Sequence, residues 1–321
     1  MKTWGLRRRA GSVLQFVLLL FMVSAAVFLL LELIPGSPID AILPPDATPE
    51  QVAAAQEMYG LNHPLPQRYL EWVGGVVHGD FGTSFQTGLP VGEILSERVP
   101  ISLEIALLAV ILALAVSVPL GIWSAYRPGG LVDRATTILT SGLLATPSFV
   151  LGIVLVFVFA VTLDLVPPLG WVPFSEDPVE HVTRLILPVL TLAASEMVLF
   201  TRLLKGDMMA TLQQDHVLSA RARGLPTWRI LARHSLKQSS FSLVTVSGIV
   251  IGRLIGGTVL IEAIFSIPGL GTMAINGIHS RDYVVVQAVV LVCAVGYLFI
   301  NAMVDLTYPL LDPRVRKEKT S

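Results

Sequence analysis

Between two long apolar runs lies the polar segment DHVLSARARGLPTWRILARHSLK, residues 215–237. Helix formers dominate from about Met208 to Arg223, and Gly224 is the expected helix stop because glycine adopts a left-handed backbone without steric cost. Pro226 then suits the first turn of a second helix, which we expect to reach about Gln238. The sequence therefore predicts a short helix, a tight turn and another helix, presented outside the membrane.

The rest of the chain has the composition of an integral membrane protein. Of its 321 residues, 53% are apolar and only 14% are charged, which is unusual for a soluble domain. Six apolar runs are long enough, or nearly so, to cross a hydrocarbon core about 30 Å thick. They lie at 13–34, 104–125, 137–163, 185–203, 242–261 and 284–307. We therefore expect an all-α integral membrane protein with six transmembrane helices.

The distribution of basic residues predicts the orientation. With six spans, 17 of the 22 Lys and Arg residues fall on one side and four on the other. Because basic residues are enriched in cytoplasmic loops, we expect both termini in the cytoplasm. The first run follows three arginines, but it is longer than the apolar core of a secretory signal, roughly 7–15 residues, and no small-residue cleavage pattern follows it. We therefore read it as a retained span.

The longest insert between spans, residues 35–100, lies on the outer side in this topology. Thr48, Pro49 and Gln51 predict a helix start with a capping box, and a second helix is expected from about Pro66. The insert is either a docking surface or a cap over the spans without a partner. We divide the chain into an N-terminal part with the first span and insert (1–100), a transmembrane core (101–309) with the cytoplasmic segment at about 206–239, and a cytoplasmic tail (310–321).

Two charged residues interrupt the apolar runs. Arg253 lies midway along the fifth run, where a lone arginine costs about 2.5–3.5 kcal/mol, and Glu196 interrupts the fourth. Either the two form an ion pair that holds their helices together, or Arg253 lines a path through the membrane and meets a carboxylate of a solute. Glycines at four-residue spacing surround Arg253 and predict close helix packing. They are Gly248, Gly252 and Gly256.

Several catalytic and ligand-binding motifs are missing from the sequence. There is no Gly-x-x-x-x-Gly-Lys-Ser/Thr loop to cradle the phosphates of ATP. All six histidines fall outside the six apolar runs, and Cys293 is the only cysteine. These observations argue against an intramembrane hydrolase, a buried metal site and a thiolate cluster. We expect a non-enzymatic membrane chain without a metal or cofactor of its own.

The segment around Gly224 resembles the coupling motif of type I ABC importer permeases. Residues 220–225, ARARGL, are similar to the form Ala-Arg-Ala-Lys-Gly-Leu of the peptide-importer branch. Other stretches match that branch in the same order along the chain: PGSP at 35–38, GDFGTS at 79–84, FSIPGLG at 265–271, RDY at 281–283 and LDPR at 311–314. The chain departs from the family at Ser242, where proline is common, and at positions 196 and 253, which are usually uncharged.

The resemblance implies the first of the two membrane subunits of a dipeptide, oligopeptide, nickel or glutathione importer in the bacterial cytoplasmic membrane. Its partners would be a homologous second permease, an external substrate-binding protein and two cytosolic ABC ATPase subunits or domains that carry ATP and Mg²⁺. By resemblance, the ATPase would contact Ser219, Ala220, Arg221, Ala222, Arg223, Gly224 and Leu225. Basic residues beside a membrane also contact anionic lipid, and no nucleic-acid partner is expected.

The solute is the least determined part of this prediction. Peptides are the commonest cargo of the branch, but nickel chelates, glutathione and other small solutes use closely similar subunits. A different class of protein remains as an alternative, namely a passive channel or a membrane scaffold whose basic loop binds a signalling protein. A channel requires a selectivity element, and the sequence contains no persuasive one.

Overall fold

The computed structural model describes residues 16–29, 43, 47–58 and 62–311. Within these ranges the chain is helical, apart from loops and one isolated β-bridge between Thr83 and Pro90. The expected all-α fold is therefore confirmed for the part of the chain that is described. The helices are α1 (Phe16–Leu29), α2 (Pro49–Met58), α3 (Leu65–Val77), α4 (Val91–Tyr126), α5 (Leu131–Ala145), α6 (Ser148–Leu155), α7 (Pro178–Leu212), α8 (Asp215–Ala222), α9 (Thr227–Arg229), α10 (Lys237–Gly257), α11 (Val259–Phe265), α12 (Leu270–His279) and α13 (Tyr283–Leu311).

Two short segments are wound as π-helix. They are Val156–Thr162, which continues α6, and Ile230–Leu236, which joins α9 to α10. Single π turns inside α-helices often mark functional sites, because the extra residue per turn changes which side chains face a neighbour.

Among the described residues, four helices are long and apolar enough to cross a membrane, and two bent helix pairs raise the number of candidate spans to six. The predicted third run is such a pair: it turns by 103° between Leu131–Ala145 and Ser148–Thr162, at Pro147. The second pair, Val259–Phe265 with Leu270–His279, is bent by 86°. The predicted fifth run, 242–261, is not one helix, because α10 ends at Gly257 and α11 begins at Val259. The described part of the first run is a shorter apolar helix, Phe16–Leu29.

One compact unit consists of Met1–Ile101 and Pro268–Leu298. The predicted capping box is confirmed: the backbone N–H of Thr48 donates to Gln51 Oε1 at 2.9 Å, and that of Gln51 donates to Thr48 Oγ1 at 3.3 Å. Asp282 is buried and accepts a hydrogen bond from Ser84 Oγ at 2.6 Å. Two stretches that carry the family resemblance, 79–84 and 281–283, therefore meet in space.

The second unit consists of Ser102–Ile267 and Phe299–Ser321. Its core lies along α7, whose side chains Phe200, Leu204 and Met208 are fully buried. The start of α7 is well capped, since the Asp177 carboxylate accepts hydrogen bonds from the next two free backbone N–H groups at 2.9 and 3.0 Å. Because α7 packs against α5, α6 and α10, it positions the elements that carry the candidate site.

Candidate functional site

Residues 208–223 belong to two helices where the sequence predicted one. Helix α7 continues to Leu212, and α8 starts only at Asp215, so the prediction of one helix over 208–223 is wrong. The interruption falls at Gln213 and Gln214, which are exposed and form the turn. Neither residue is a glycine or a proline, so the sequence contained no strong signal for this break.

The tight turn at Gly224 is confirmed. Gly224 has φ of 73°, the left-handed conformation that favours glycine. Its N–H donates to the carbonyl of Arg221 at 2.9 Å, and the N–H of Leu225 donates to the carbonyl of Ala220 at 3.2 Å. This pair of hydrogen bonds is the Schellman arrangement, which satisfies the last carbonyls of α8.

The residues of the predicted coupling motif divide into a buried and an exposed set. Ala220 is fully buried together with Val217, so it packs inside the subunit and is not available to a partner. Leu225 is half-buried. The remaining members are exposed, namely Ser219, Arg221, Ala222, Arg223 and Gly224.

Two large apolar side chains are exposed in the same segment as these arginines. Leu218 is 48% exposed in the middle of α8, and Trp228 is 66% exposed in α9. Arg221, Arg223 and Arg229 are exposed as well, and the Arg229 guanidinium lies 5.4 Å from the centroid of the Trp228 ring. We call these five residues the coupling surface. Exposed apolar and basic side chains in one segment are suited to bind an apolar groove bordered by acidic residues.

Helix α10 continues the second half of the polar segment without a break. The run Thr227–Gly257 is one helix of 31 residues, so the expected helix end near residue 238 is wrong. Two polar side chains of this helix contact neighbouring residues of the chain. Ser239 Oγ lies 3.2 Å from Thr211 Oγ1 of α7, and Gln238 Nε2 donates to Gln214 Oε1 at 3.1 Å in the turn after α7. The polar residues Gln238 and Ser239 are thus accommodated within a helix.

The π-helical part of this run lies directly against α8 and α7. Ile230 and Ser235 are both buried there. The Ser235 hydroxyl forms no hydrogen bond with any other described residue. A buried hydroxyl without a partner is unfavourable by about 1–3 kcal/mol, so this turn is a weak point of an otherwise regular helix.

The two intramembrane charges form a salt bridge. Arg253 Nη2 donates to Glu196 Oε1 at 2.8 Å and to Oε2 at 2.6 Å. The side chain of Glu196 is 7% exposed, whereas that of Arg253 is 58% exposed. The pair therefore joins α10 to α7 and leaves more than half of the Arg253 side chain exposed on this subunit.

The three glycines around Arg253 have different environments. A Cβ added at Gly248 would overlap the side chain of Val304 in α13, so this glycine permits a close approach of two helices. Gly252 is also buried, but Gly256 is exposed. The predicted packing stripe is thus present at its first two positions and reaches the surface at the third.

Two buried polar clusters were not singled out by the sequence analysis. Glu262 is fully buried and accepts hydrogen bonds from Ser102 and Thr258. His181 lies in the first turn of α7, before the predicted fourth run at 185–203; it is buried, with Nε2 2.9 Å from Glu104 Oε1. Its Nδ1 lies 2.7 Å from the carbonyl of Val172. Helix α7 begins seven residues before the predicted run, at Pro178, and therefore includes this histidine.

Within the described ranges, no cluster of His, Cys, Asp and Glu side chains is suited to hold a metal ion.

The sequence and the fold were then compared with those of known proteins. "Probable peptide ABC transporter permease protein y4tP" of Sinorhizobium fredii is 37% identical over 92% of this chain and 94% of that protein. "Oligopeptide transport system permease protein AppB" of Bacillus subtilis is 34% identical, covering 94% of this chain and 96% of the relative. "Dipeptide transport system permease protein DppB" of Lactococcus lactis is also 34% identical, with coverages of 96% and 98%.

The fold also resembles that of a solved transporter. The match is to a chain of the MetNI methionine ABC transporter, with a TM-score of 0.55 at 16% identity, and covers 68% of this chain and 96% of that one. The family model for the binding-protein-dependent transport system inner membrane component matches residues 117–317. A model for the N-terminal part of such membrane components matches residues 1–106. The chain therefore belongs to the inner membrane component family of binding-protein-dependent transport systems, the permeases of ABC transporters.

Proposed function

We propose that this chain is one of two homologous permease subunits of an ATP-driven importer whose cargo is peptides. The peptide assignment is supported by relatives that are 34–37% identical over more than nine-tenths of the chain and carry peptide, oligopeptide or dipeptide transport in their names. The chain lies in the bacterial cytoplasmic membrane with both termini inside. An external binding protein delivers the peptide to the outer side, where residues 35–100 and 265–282 form the docking surface.

Two cytosolic ATPase subunits or domains drive the transport cycle, with ATP and Mg²⁺ bound to them and no cofactor on this chain. In this proposal one ATPase grips the coupling surface. The observation that carries the proposal is the continuous helical run Thr227–Gly257, which contains Trp228 and Arg229 of that surface at one end and Arg253 near the other. Because a helix is stiff along its axis, a displacement of its exposed end moves the intramembrane end as well, as in rigid-body switching.

The test uses the complete transporter, in which this chain is purified together with the second permease and the ATPases and is reconstituted with the binding protein. It compares alanine substitutions at two leucines of this chain. Leu218 belongs to the coupling surface, whereas Leu131, at the start of α5, is 86% exposed and distant from it in sequence. We expect Leu218→Ala to reduce both ATPase stimulation and ATP-dependent uptake of a labelled dipeptide by about tenfold, the effect of about 1.4 kcal/mol at an interface. Leu131→Ala should leave both rates unchanged.

Two results would contradict the proposal. Peptide uptake that continues without any ATPase subunit would show that the chain works as a passive pathway. Equal activities of the Leu218→Ala and Leu131→Ala transporters would show that the ATPase does not use the coupling surface.

A further inference from the structure

We infer that Arg253 binds a carboxylate group of the transported solute and that Glu196 is the resident counterion of this site. The inference rests on the proposed import function and adds the chemical class of the solute. It concerns a site inside the membrane, separate from the coupling surface.

The salt bridge uses only one nitrogen of the guanidinium. Both short contacts to Glu196 are made by Nη2, at 2.8 and 2.6 Å. A guanidinium carries five N–H donors, so the Nε–H and Nη1–H groups remain. Within the described part of the chain these groups make no hydrogen bond, and each can donate a single charge-assisted hydrogen bond to a carboxylate oxygen.

The residue that carries the unused donors is the exposed member of the pair. Glu196 is almost completely enclosed, and the solvent-accessible area of the pair is concentrated on Arg253, whose side chain is 58% exposed. One turn before and one turn after it on α10, Ile249 and Gly256 are exposed as well. Gly256 has no side chain, so it leaves space beside the guanidinium.

Lipid is an unfavourable neighbour for these unused donors. An arginine in the hydrocarbon core costs about 2.5–3.5 kcal/mol, because its N–H groups lose water without gaining acceptors. A surface that carries such donors is stable where it contacts water or an acceptor. A solute pathway supplies water, and a solute with a carboxylate supplies a charged acceptor.

Glu196 explains how such a site releases its ligand. A buried arginine without a counterion would hold an anion firmly and stop transport, whereas binding sites along a path must be weak enough to be vacated. The carboxylate of Glu196 already neutralises the arginine, so the solute carboxylate adds hydrogen bonds without being required for neutrality. The solute carboxylate is either the C-terminal group of a peptide or one of its acidic side chains.

The experiment measures a ratio of two uptake rates in the reconstituted transporter. One substrate is a labelled dialanine with a free C-terminus and the other is its C-terminal amide, each supplied with saturating binding protein. The binding protein is the same in all preparations, so a change in the ratio between permease variants reports on the permease. A third peptide, an amide with a glutamate side chain, separates side-chain from C-terminal carboxylates.

The decisive variant is the double substitution Arg253→Gln with Glu196→Gln. It removes both charges, because Arg253→Gln alone would leave a buried carboxylate unpaired and destabilise the subunit. We expect the ratio of the uptake rate of the free acid to that of the amide to fall by about tenfold, because one charge-assisted hydrogen bond is lost. Glu196→Gln alone keeps the arginine and should leave the ratio at or above that of the unmodified transporter. Arg134→Gln, at an exposed arginine of α5, is the matched control and should leave it unchanged.

The possible results separate this inference from the proposed function. If the unmodified transporter imports none of the peptides, the proposed peptide cargo is wrong. If it imports them and the double variant keeps the unmodified ratio, Arg253 does not bind the carboxylate. Should the double variant fail to assemble, Arg253→Lys decides, since it keeps the charge and loses the Nε–H and Nη1–H donors. A reduced ratio then supports the inference, and an unchanged one overturns it.

Discussion

Glu262 shows at the residue scale how a carboxylate is accommodated inside this protein. Its side chain is fully buried in α11, and its Oε1 accepts hydrogen bonds from Ser102 Oγ at 2.7 Å and from Thr258 Oγ1 at 2.6 Å. Buried charges require such donors, because an unpaired one loses its hydration without compensation. The two hydroxyls also tie α4 to the α10–α11 junction.

We expect Ser102→Ala to destabilise the subunit by about 1–3 kcal/mol, since it removes a donor from a buried carboxylate. The measurement is the thermal unfolding midpoint of the purified transporter in detergent. Ser96→Ala is the matched control, because Ser96 lies in the same helix α4 and is exposed. Equal midpoints for the two variants would show that Glu262 does not depend on Ser102.

Local signals were readable from the sequence at this scale, but tertiary pairing was not. The capping box at Thr48 and the left-handed turn at Gly224 depend on residues a few positions apart, so their patterns predicted them correctly. The Glu196–Arg253 contact joins positions 57 residues apart. The sequence left two alternatives open there, because the pairing depends on how α10 packs against α7.

At the element scale, the largest difference between prediction and structure concerns the helix Thr227–Gly257. The sequence predicted that the second helix of the polar segment ends near Gln238, before the fifth apolar run at 242–261. None of the polar residues at 237–240 stops a helix as proline does, and Ser239 and Gln238 find partners at Thr211 and Gln214. Polarity alone therefore marked a change of environment along the helix and not its end.

Helix packing at Gly248 gives a testable prediction at this scale. A methyl group at this position would overlap Val304, and overpacking of this kind costs about 1–3 kcal/mol. We expect Gly248→Ala to lower the thermal midpoint of the purified transporter. Gly206→Ala in α7 is the control: its Cβ would meet no neighbouring atom within 4 Å, and alanine is favoured over glycine in a helix by up to about 1 kcal/mol. A Gly248→Ala transporter as stable as the Gly206→Ala one would contradict the packing seen here.

At the scale of the whole molecule, composition and charge predicted the class of protein better than the course of its spans. Hydropathy locates apolar runs, but it cannot tell a straight helix from one bent by 103°, because both bury similar residues. The strong bend at Pro147 coincides with a residue that removes a backbone donor. The bend between α11 and α12 contains Ser266 in a left-handed conformation, which the sequence did not signal.

The orientation of the chain can be tested with a membrane-impermeant thiol reagent on spheroplasts. In a Cys293→Ser background, we expect Glu176→Cys to react, because Glu176 is exposed in the loop before α7, which the charge distribution puts outside. Arg221→Cys, exposed at the coupling surface, should react only after the membrane is permeabilised. Labelling of both positions after permeabilisation shows that each thiol is accessible. If Arg221→Cys reacts in intact spheroplasts, the coupling surface faces outward, where no cytosolic ATPase can reach it, and the proposed mechanism fails.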